Sequence, residues 1–339
     1  MRLQKGIALL PKLQVNALWE EDPMDLFYFT GLVLSAGSLL LQQNGVILFV
    51  DGRYFEIAKK KSPCKVVLMK KEEVIQVDRI GFDTNTITVS GFETLKKKCK
   101  GTLVPLPSPL AQIRAIKDTE EMISLHKGAN LAWRGFEHVC SILKEGITEK
   151  QVALEFQIFC LKNGAEKLSF ETIIAFGENS AYPHHVSGSA KLKKGDIVLI
   201  DFGVIVDRYC SDCTRTIFFQ GEGNVKLQKI MTLVKKAEKE ALLLCRPGVK
   251  LGKLDERVRE IFDQEKMLPY YVHNLGHGLG LQVHEYPRLR WNGDDKDVVL
   301  EEGMVFTVEP GIYLPGLGGV RYEDTIAITK DGYKNFYKT

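Results

Sequence analysis

The sequence predicts an α+β chain in two domains: a small α/β domain, then a larger one with helices on one face of a curved sheet. Three observations lead there. Helix-capping patterns recur in the second part and alternate with strand-like apolar runs. A proline cluster, Pro105-Leu-Pro107-Ser-Pro109, punctuates the chain and divides it into residues 1–110 and 111–339. A length of 339 residues with 45% hydrophobic content is enough for two buried cores.

The elements follow in order. Residues 39–50 hold Asn44-Gly45 between apolar runs, which predicts a β-hairpin turning on that pair. Asp51-Gly52 leads into a helical stretch over 53–59, and 66–69 and 80–83 read as further strands. Past the prolines, Asp118 with Glu121 forms a capping box before an amphipathic run to about Lys144. Thr148 with Gln151 repeats the device, and Asn163-Gly164 closes that helix. Strands are expected over 170–176, 196–206 and 209–219. Helices are expected over 225–245 and 253–266, on either side of Pro247-Gly248. Strands return over 272–274, 305–309 and 319–329.

Composition excludes several classes of function. With 46 basic and 43 acidic residues the net charge is +3, which calls for no nucleic-acid partner. The lysine runs at 59–61 and 96–98 read as solvated helix faces. No apolar run approaches the ~20 residues of a membrane span. The apolar stretch Ile7 to Leu10 stops at Pro11-Lys12, too short for a signal peptide. Seven scattered cysteines, an odd number, argue against a disulfide framework and for a reducing, cytoplasmic compartment. Cys210 and Cys213 have CxxC spacing, but a redox pair normally opens a helix and these flanks read as strand.

The chemistry lies in acids set among apolar residues. Asp201 follows Ile-Val-Leu-Ile, Asp212 sits in Cys-Ser-Asp-Cys, Glu309 follows Val-Phe-Thr-Val, and Glu323 follows Val-Arg-Tyr. A buried carboxylate is costly unless it is paired or bound to metal. Taken singly, Asp201 reads as a strand end and Glu309 as a turn residue before Pro-Gly. Asp212 and Glu323 read as ion-pair partners of Arg215 and Arg321. Taken together with the histidine-rich stretch His273 to His284, they fit one dinuclear metal site more economically. That stretch alone leaves a zinc site, a phosphate loop and a buried strand all open. Two divalent ions balance four carboxylates, and a bridging hydroxide and one neutral histidine complete the shell. Mostly oxygen ligands favour Mn²⁺, with Co²⁺ or Zn²⁺ as alternatives. Ions roughly 3.5–4 Å apart generate hydroxide at neutral pH and polarise a carbonyl, which is the equipment of a hydrolase. His126, His138 and His185 take the bland reading of satisfied structural residues.

These residues resemble the pita-bread metallopeptidases: methionine aminopeptidase, aminopeptidase P and prolidase. The likeness runs through Val198–Gly203, Ser211–Thr216, Gly276–Gly280, Val308–Tyr313 and Gly319–Asp324, and includes the eleven-residue step from Asp201 to Asp212. Tyr28-Phe-Thr-Gly31, Asp51-Gly-Arg-Tyr54 and the linker Arg114-Ala-Ile-Lys117 resemble the creatinase-type N-terminal domain of the proline-specific branch. The resemblance implies that Asp201, Asp212, His277, Glu309 and Glu323 hold two divalent ions, with Asp212 and Glu323 as bridges and Glu309 as general base. It implies substrate roles for His184, His273 and His284, with His284 stabilising the tetrahedral intermediate and His184 also acting in catalysis. Arg321 resembles an arginine that orients the carboxylates. One departure is Asp207-Arg208-Tyr209 where the family often has Gly-Tyr, and a turn with a different surface is expected there.

The implied activity is hydrolysis of Xaa-Pro bonds in short proline-containing peptides, by a homodimer. A dipeptidase needs a clamp for the free carboxylate of its substrate, and Arg288, four residues after His284, is the candidate. That tips the expectation slightly toward prolidase over aminopeptidase P. Methionine aminopeptidase is the enzymatic alternative, though it usually lacks such an N-terminal domain. A metal-free binding module is the alternative of another class, and the five filled ligand positions weigh against it.

Overall fold

Residues 197–202 read Ile-Val-Leu-Ile-Asp-Phe, and all six are buried. A strand covered on both faces needs such a run, and this one is the middle strand of a three-stranded sheet in the larger part of the chain. The architecture comes from a computed structural model that describes residues 2–69 and 74–337. The chain divides into two compact units between Ile113 and Arg114. The proline cluster lies just ahead of that division: Pro105 belongs to an edge strand, where a missing N–H is tolerated.

The first unit is built on a mixed six-stranded sheet, ordered β4-β3-β2-β1-β5-β6. Its elements are α1 (Arg2–Leu9), β1 (Ala17–Glu20), α2 (Pro23–Thr30), β2 (Ser38–Gln42), β3 (Gly45–Val50), α3 (Phe55–Lys61), β4 (Lys65–Leu68), β5 (Arg79–Asp83), α4 (Val89–Lys98) and β6 (Thr102–Leu106). The predicted hairpin is β2–β3, but Gln42 pairs with Gly45, so the turn is Gln43-Asn44, one residue early. Trp19, Leu40, Phe49, Ile80 and Leu95 fill the core between the sheet and α4. Helix α2 has clear signals: Asp22 caps the N–H groups of Met24 and Asp25, Pro23 opens the helix, and Gly31 closes it at φ 70°.

The second unit opens with α5 (Ala111–Ala115), which spans the division, and α6 (Thr119–Ile142) and α7 (Glu149–Lys162) follow. Both expected capping boxes are present, Asp118 with Glu121 and Thr148 with Gln151. Next come β7 (Lys167–Leu168), β8 (Ile173–Phe176), β9 (Ile197–Phe202), β10 (Val204–Val206), β11 (Tyr209–Cys210) and β12 (Cys213–Phe218). Asp207 and Arg208 make the two-residue turn between β10 and β11 at φ 49° and 73°, the left-handed geometry that suits hairpin twist. Helices α8 (Val225–Leu242) and α9 (Gly252–Gln264) follow, as expected.

The remaining strands are β13 (Gly276–Gly278), β14 (Glu285–Leu289), β15 (Val305–Val308), β16 (Gly311–Leu314), β17 (Gly318–Arg321), β18 (Asp324–Ile328) and β19 (Tyr333–Asn335). They form a five-stranded sheet, β14-β13-β15-β18-β19, and the hairpin β16–β17. The strand expected over 272–274 is absent. Those residues are irregular after a 3₁₀ turn at Leu268–Tyr270, and pairing begins only at Gly276. Helices α8 and α9 cover this sheet and hairpin with Val234, Leu254, Val258 and Phe262, against Phe306, Val308, Ile312 and Val320. Thr214 bridges to Glu323, which stitches β12 to the start of β18. Sheet β12-β9-β8 and the five-stranded sheet thereby meet at their acid-bearing ends.

Candidate active site

Each acid is delivered by backbone pairing. Asp201 on β9 lies between Ile173 of β8 and Thr214 of β12. Asp212 precedes β12, Glu309 follows β15, and Glu323 precedes β18 with its N–H on the Thr214 carbonyl at 3.1 Å. His277, in β13, supplies the imidazole. One donor atom each from Asp212, His277 and Glu323 lies within 4.8 Å of the others. His277 Nε2 stands 3.6 Å from Asp212 Oδ2 and 3.4 Å from Glu309 Oε1. Its Nδ1 lies 3.2 Å from the Gly278 carbonyl oxygen and so carries the proton there, which leaves the Nε2 lone pair facing the acids.

The electrostatics ask for cations. Burial pushes Asp212 well above the usual carboxylate range, and the charges of Glu323 and Asp201 add to it. Burial, with Glu309 and Asp201, does the same to Glu323. Burial raises Glu309 to about 8 even though Arg321 pulls it down. Burial, then the neighbouring His284, lowers His277 to about 3, so it is neutral at physiological pH. Asp201 Oδ1 is buried and has no hydrogen-bond partner among the described residues. An orphaned carboxylate oxygen beside three other acids and a neutral imidazole is a donor set that fits divalent metal ions.

Arg321 ties these parts together. Its Nη2 donates to Asp201 Oδ2 at 2.5 Å, Nε to Thr214 Oγ1 at 3.0 Å, and Nη1 to Tyr313 OH at 2.8 Å and Pro183 O at 3.3 Å. The Thr214 hydroxyl in turn donates to Glu323 Oε2 at 2.6 Å. The arginine thus reaches one carboxylate directly, a second through a hydroxyl, and the loop that carries His184. The neighbouring Arg215 pairs at 2.5 Å with Asp324, not with Asp212. The simple ion-pair reading of Asp212 and Glu323 therefore does not hold.

The substrate-side histidines are placed differently from one another. The His284 ring sits edge-on to His277 with centroids 4.3 Å apart. Burial lowers its pKa, and His184 and Arg288 lower it further, which puts both within electrostatic reach. His184 is exposed, on the loop that Arg321 holds at Pro183. His273 has both ring nitrogens occupied by protein. Nδ1 donates to Asn274 O at 2.8 Å, and Nε2 accepts from Tyr313 OH at 2.9 Å. Burial, then Arg321, lowers its pKa to about 4. A substrate role for His273 would have to displace one of these bonds. Arg288 is the cross-strand partner of His277 in the β13–β14 pair, and it is exposed.

The glycines of the histidine stretch also have a definite reason. A Cβ on Gly276 would lie 2.0 Å from the Thr307 carbonyl oxygen, and one on Gly278 would lie 2.2 Å from that of Tyr286. They permit close approach of β13 to neighbouring backbone, not room for a substrate. Sequence reasoning passed over Tyr313 and Thr214 as individual site residues. Tyr313 and Thr214 lie within the stretches 308–313 and 211–216, but no local signal marks a hydroxyl whose partner is 109 residues away.

Residues 124–330 match metallopeptidase family M24, and residues 2–116 match the creatinase/prolidase N-terminal domain. The chain is 35% identical over 345 residues to an Xaa-Pro dipeptidase of Pyrococcus furiosus, covering 100% of this chain and 98% of that one. An Xaa-Pro dipeptidase structure from Bacillus anthracis superposes with a TM-score of 0.93 at 30% identity, covering 100% of this chain and 97% of that one. An X-Pro aminopeptidase structure from Thermotoga maritima gives 0.87 at 27% identity, covering 100% and 98%.

Proposed function

Because this chain belongs to the M24 metallopeptidase family and carries the creatinase/prolidase domain at its N-terminal end, we propose that it is an Xaa-Pro dipeptidase. It hydrolyses the bond before proline with the help of divalent metal ions. Its architecture is a creatinase-type domain followed along the chain by the pita-bread fold. That N-terminal domain disfavours methionine aminopeptidase. The orphaned, buried Asp201 oxygen disfavours a metal-free binding module.

Asp201, Asp212, His277, Glu309 and Glu323 would hold the ions, two per chain in our reading. Mn²⁺ suits four carboxylates and one imidazole, with Co²⁺ and Zn²⁺ as competitors. Bound ions supply an activated water at neutral pH and polarise the scissile carbonyl. Glu309, whose Oε1 stands 3.4 Å from His277 Nε2, would accept a proton as general base. Arg321 holds Asp201 and the His184 loop in fixed relation. His284, beside His277, faces the peptide and stabilises the oxyanion, and His184 approaches from the exposed side. An Xaa-Pro bond is a tertiary amide without an N–H, so the ring must be held by apolar contact and the trans isomer, the major form, is the substrate.

The observation that carries the dipeptidase reading is Arg288 opposite His277. Cross-strand partners project to the same side of a sheet, so its guanidinium stands on the side of the ligand imidazole, where a free substrate carboxylate would lie. A homodimer and a cytoplasmic location complete the proposal. Seven free cysteines support a reducing compartment. The deciding experiment compares Ala-Pro, Ala-Pro-Ala and Met-Ala-Ser with Mn²⁺ added. Turnover of Ala-Pro alone is expected. Comparable turnover of Ala-Pro-Ala would move the reading to aminopeptidase P, and cleavage of Met-Ala-Ser alone would end it.

A further inference from the structure

The segment that opens the second unit, Arg114 to Lys117, belongs neither to the ligand set nor to the substrate groups, yet both its cations are buried. Arg114 is 9% exposed and Lys117 6%, and long cationic side chains are rarely buried so far without an anion. Both address Glu285, whose side chain is 5% exposed. Arg114 Nη2 donates to Oε1, and Lys117 Nζ forms an ion pair with Oε2 at 3.5 Å. The same Oε1 accepts the Gln282 N–H at 2.9 Å, and Arg114 Nη2 also reaches Gln282 Oε1 at 3.3 Å. The carboxylate therefore closes the turn over 280–285 from inside. Gly280 makes room for it, since a Cβ there would stand 2.6 Å from Glu285 Oε2.

Electrostatics agree with the geometry. Burial alone would raise the Glu285 carboxyl, but Lys117 and then Arg114 outweigh it and hold it below the usual range. The surroundings of the turn are anchored as well. The Lys117 N–H donates to Gly303 O at 2.9 Å, just ahead of the strand that leads to Glu309. Gly280 O accepts the Cys210 N–H at 2.8 Å, two residues before Asp212. His284 is the residue next to Glu285, with its ring beside His277.

We propose that Arg114 and Lys117 are positioning residues: through Glu285 they fix the 280–285 turn, and so hold the His284 imidazole where substrate meets it. The proposal rests on the dipeptidase reading only for its kinetic readout. A buried ion pair that served stability alone would leave His284 indifferent to its loss once the protein folds.

The test uses the full chain with Lys117→Met and Lys117→Arg. The rings are followed by ¹H–¹⁵N spectra of ¹⁵N-histidine-labelled protein, and kcat and KM are measured on Ala-Pro with Mn²⁺ added. Lys117→Met should move the His284 resonances and leave those of His138, which stacks on Phe159 of α7, in place. Its kcat should fall roughly 10–100-fold, as expected for a misplaced reacting group, with KM nearly constant. Lys117→Arg should keep most of kcat. Should Lys117→Met not fold, Glu285→Gln keeps an acceptor for Gln282 while weakening both ion pairs, and the same shift and split are expected. Wild-type His284 resonances and kcat in whichever variant folds would overturn the proposal. Should the wild type itself leave Ala-Pro intact, the substrate reading falls, and the resonances still decide the positioning role.

Discussion

Asp212 sits where burial and the charges of Glu323, Asp201 and Glu309 all work against its ionisation, so only cations make its position economical. Asp212→Ala should lose bound Mn²⁺, measured by elemental analysis, together with ~10³-fold or more of kcat. Full metal occupancy in that variant would refute the shared-ligand assignment. Arg288 offers a contrasting test because it is exposed and touches none of the acids. If it clamps the substrate carboxylate, Arg288→Met removes a charge-assisted bond worth about 1.5–3 kcal/mol. KM for Ala-Pro should then rise roughly 10–100-fold with kcat much less affected, and an unchanged KM would remove the clamp. At this scale the acids themselves were legible, because carboxylates inside apolar runs stand out. Their cationic partners were not. Arg321 pairs with Asp201, 120 residues away, and Arg215 with Asp324, 109 away, while neighbours in sequence pointed to Glu323 and Asp212.

Helices were readable because their signals are local. The capping boxes at Asp118 and Thr148 each satisfy backbone donors within three residues. Thr148→Ala should cost about 1 kcal/mol, seen as a fall in Tm of about 2–4 °C. Helix α2 carries the same kind of local signal in Asp22-Pro23 and Gly31. Strands were harder, since pairing depends on partners elsewhere in the chain. Strand β13 begins at Gly276, not at residue 272, because its ladder pairs with β14 and β15 lie between Gly276 and Gly278. Gly276→Ala presses a Cβ against a backbone oxygen that cannot yield. It should cost about 3 kcal/mol and lower Tm by roughly 6–12 °C. A variant as stable as the wild type would mean that β13 lies farther from β15.

Across the whole molecule, the site couples stability to pH and to metal. Asp212, Glu309 and Glu323 have folded-state pKa values above those of the unfolded chain. The folded state therefore keeps its protons longer. The stability these groups contribute is full below the ordinary carboxylate range and is lost as pH rises, for Glu309 through about 8. Metal-stripped protein should lose roughly 4 °C in Tm between pH 7 and 8.5 relative to the Mn²⁺-loaded protein. Parallel Tm curves for the two forms would contradict the assignment. Among the described residues no helix is long and apolar enough to cross a membrane. By itself the sequence determined the α+β class, the two-part organisation and the capped helix starts at Asp118 and Thr148, because apolar patterning and capping act over a few residues. Only the tertiary structure decided that the acids converge, that His273 is satisfied within the protein, that the glycines serve strand packing, and that Glu285 is buried between Arg114 and Lys117. Those outcomes depend on long-range pairing and on the cost of leaving a buried charge alone, which no local pattern encodes.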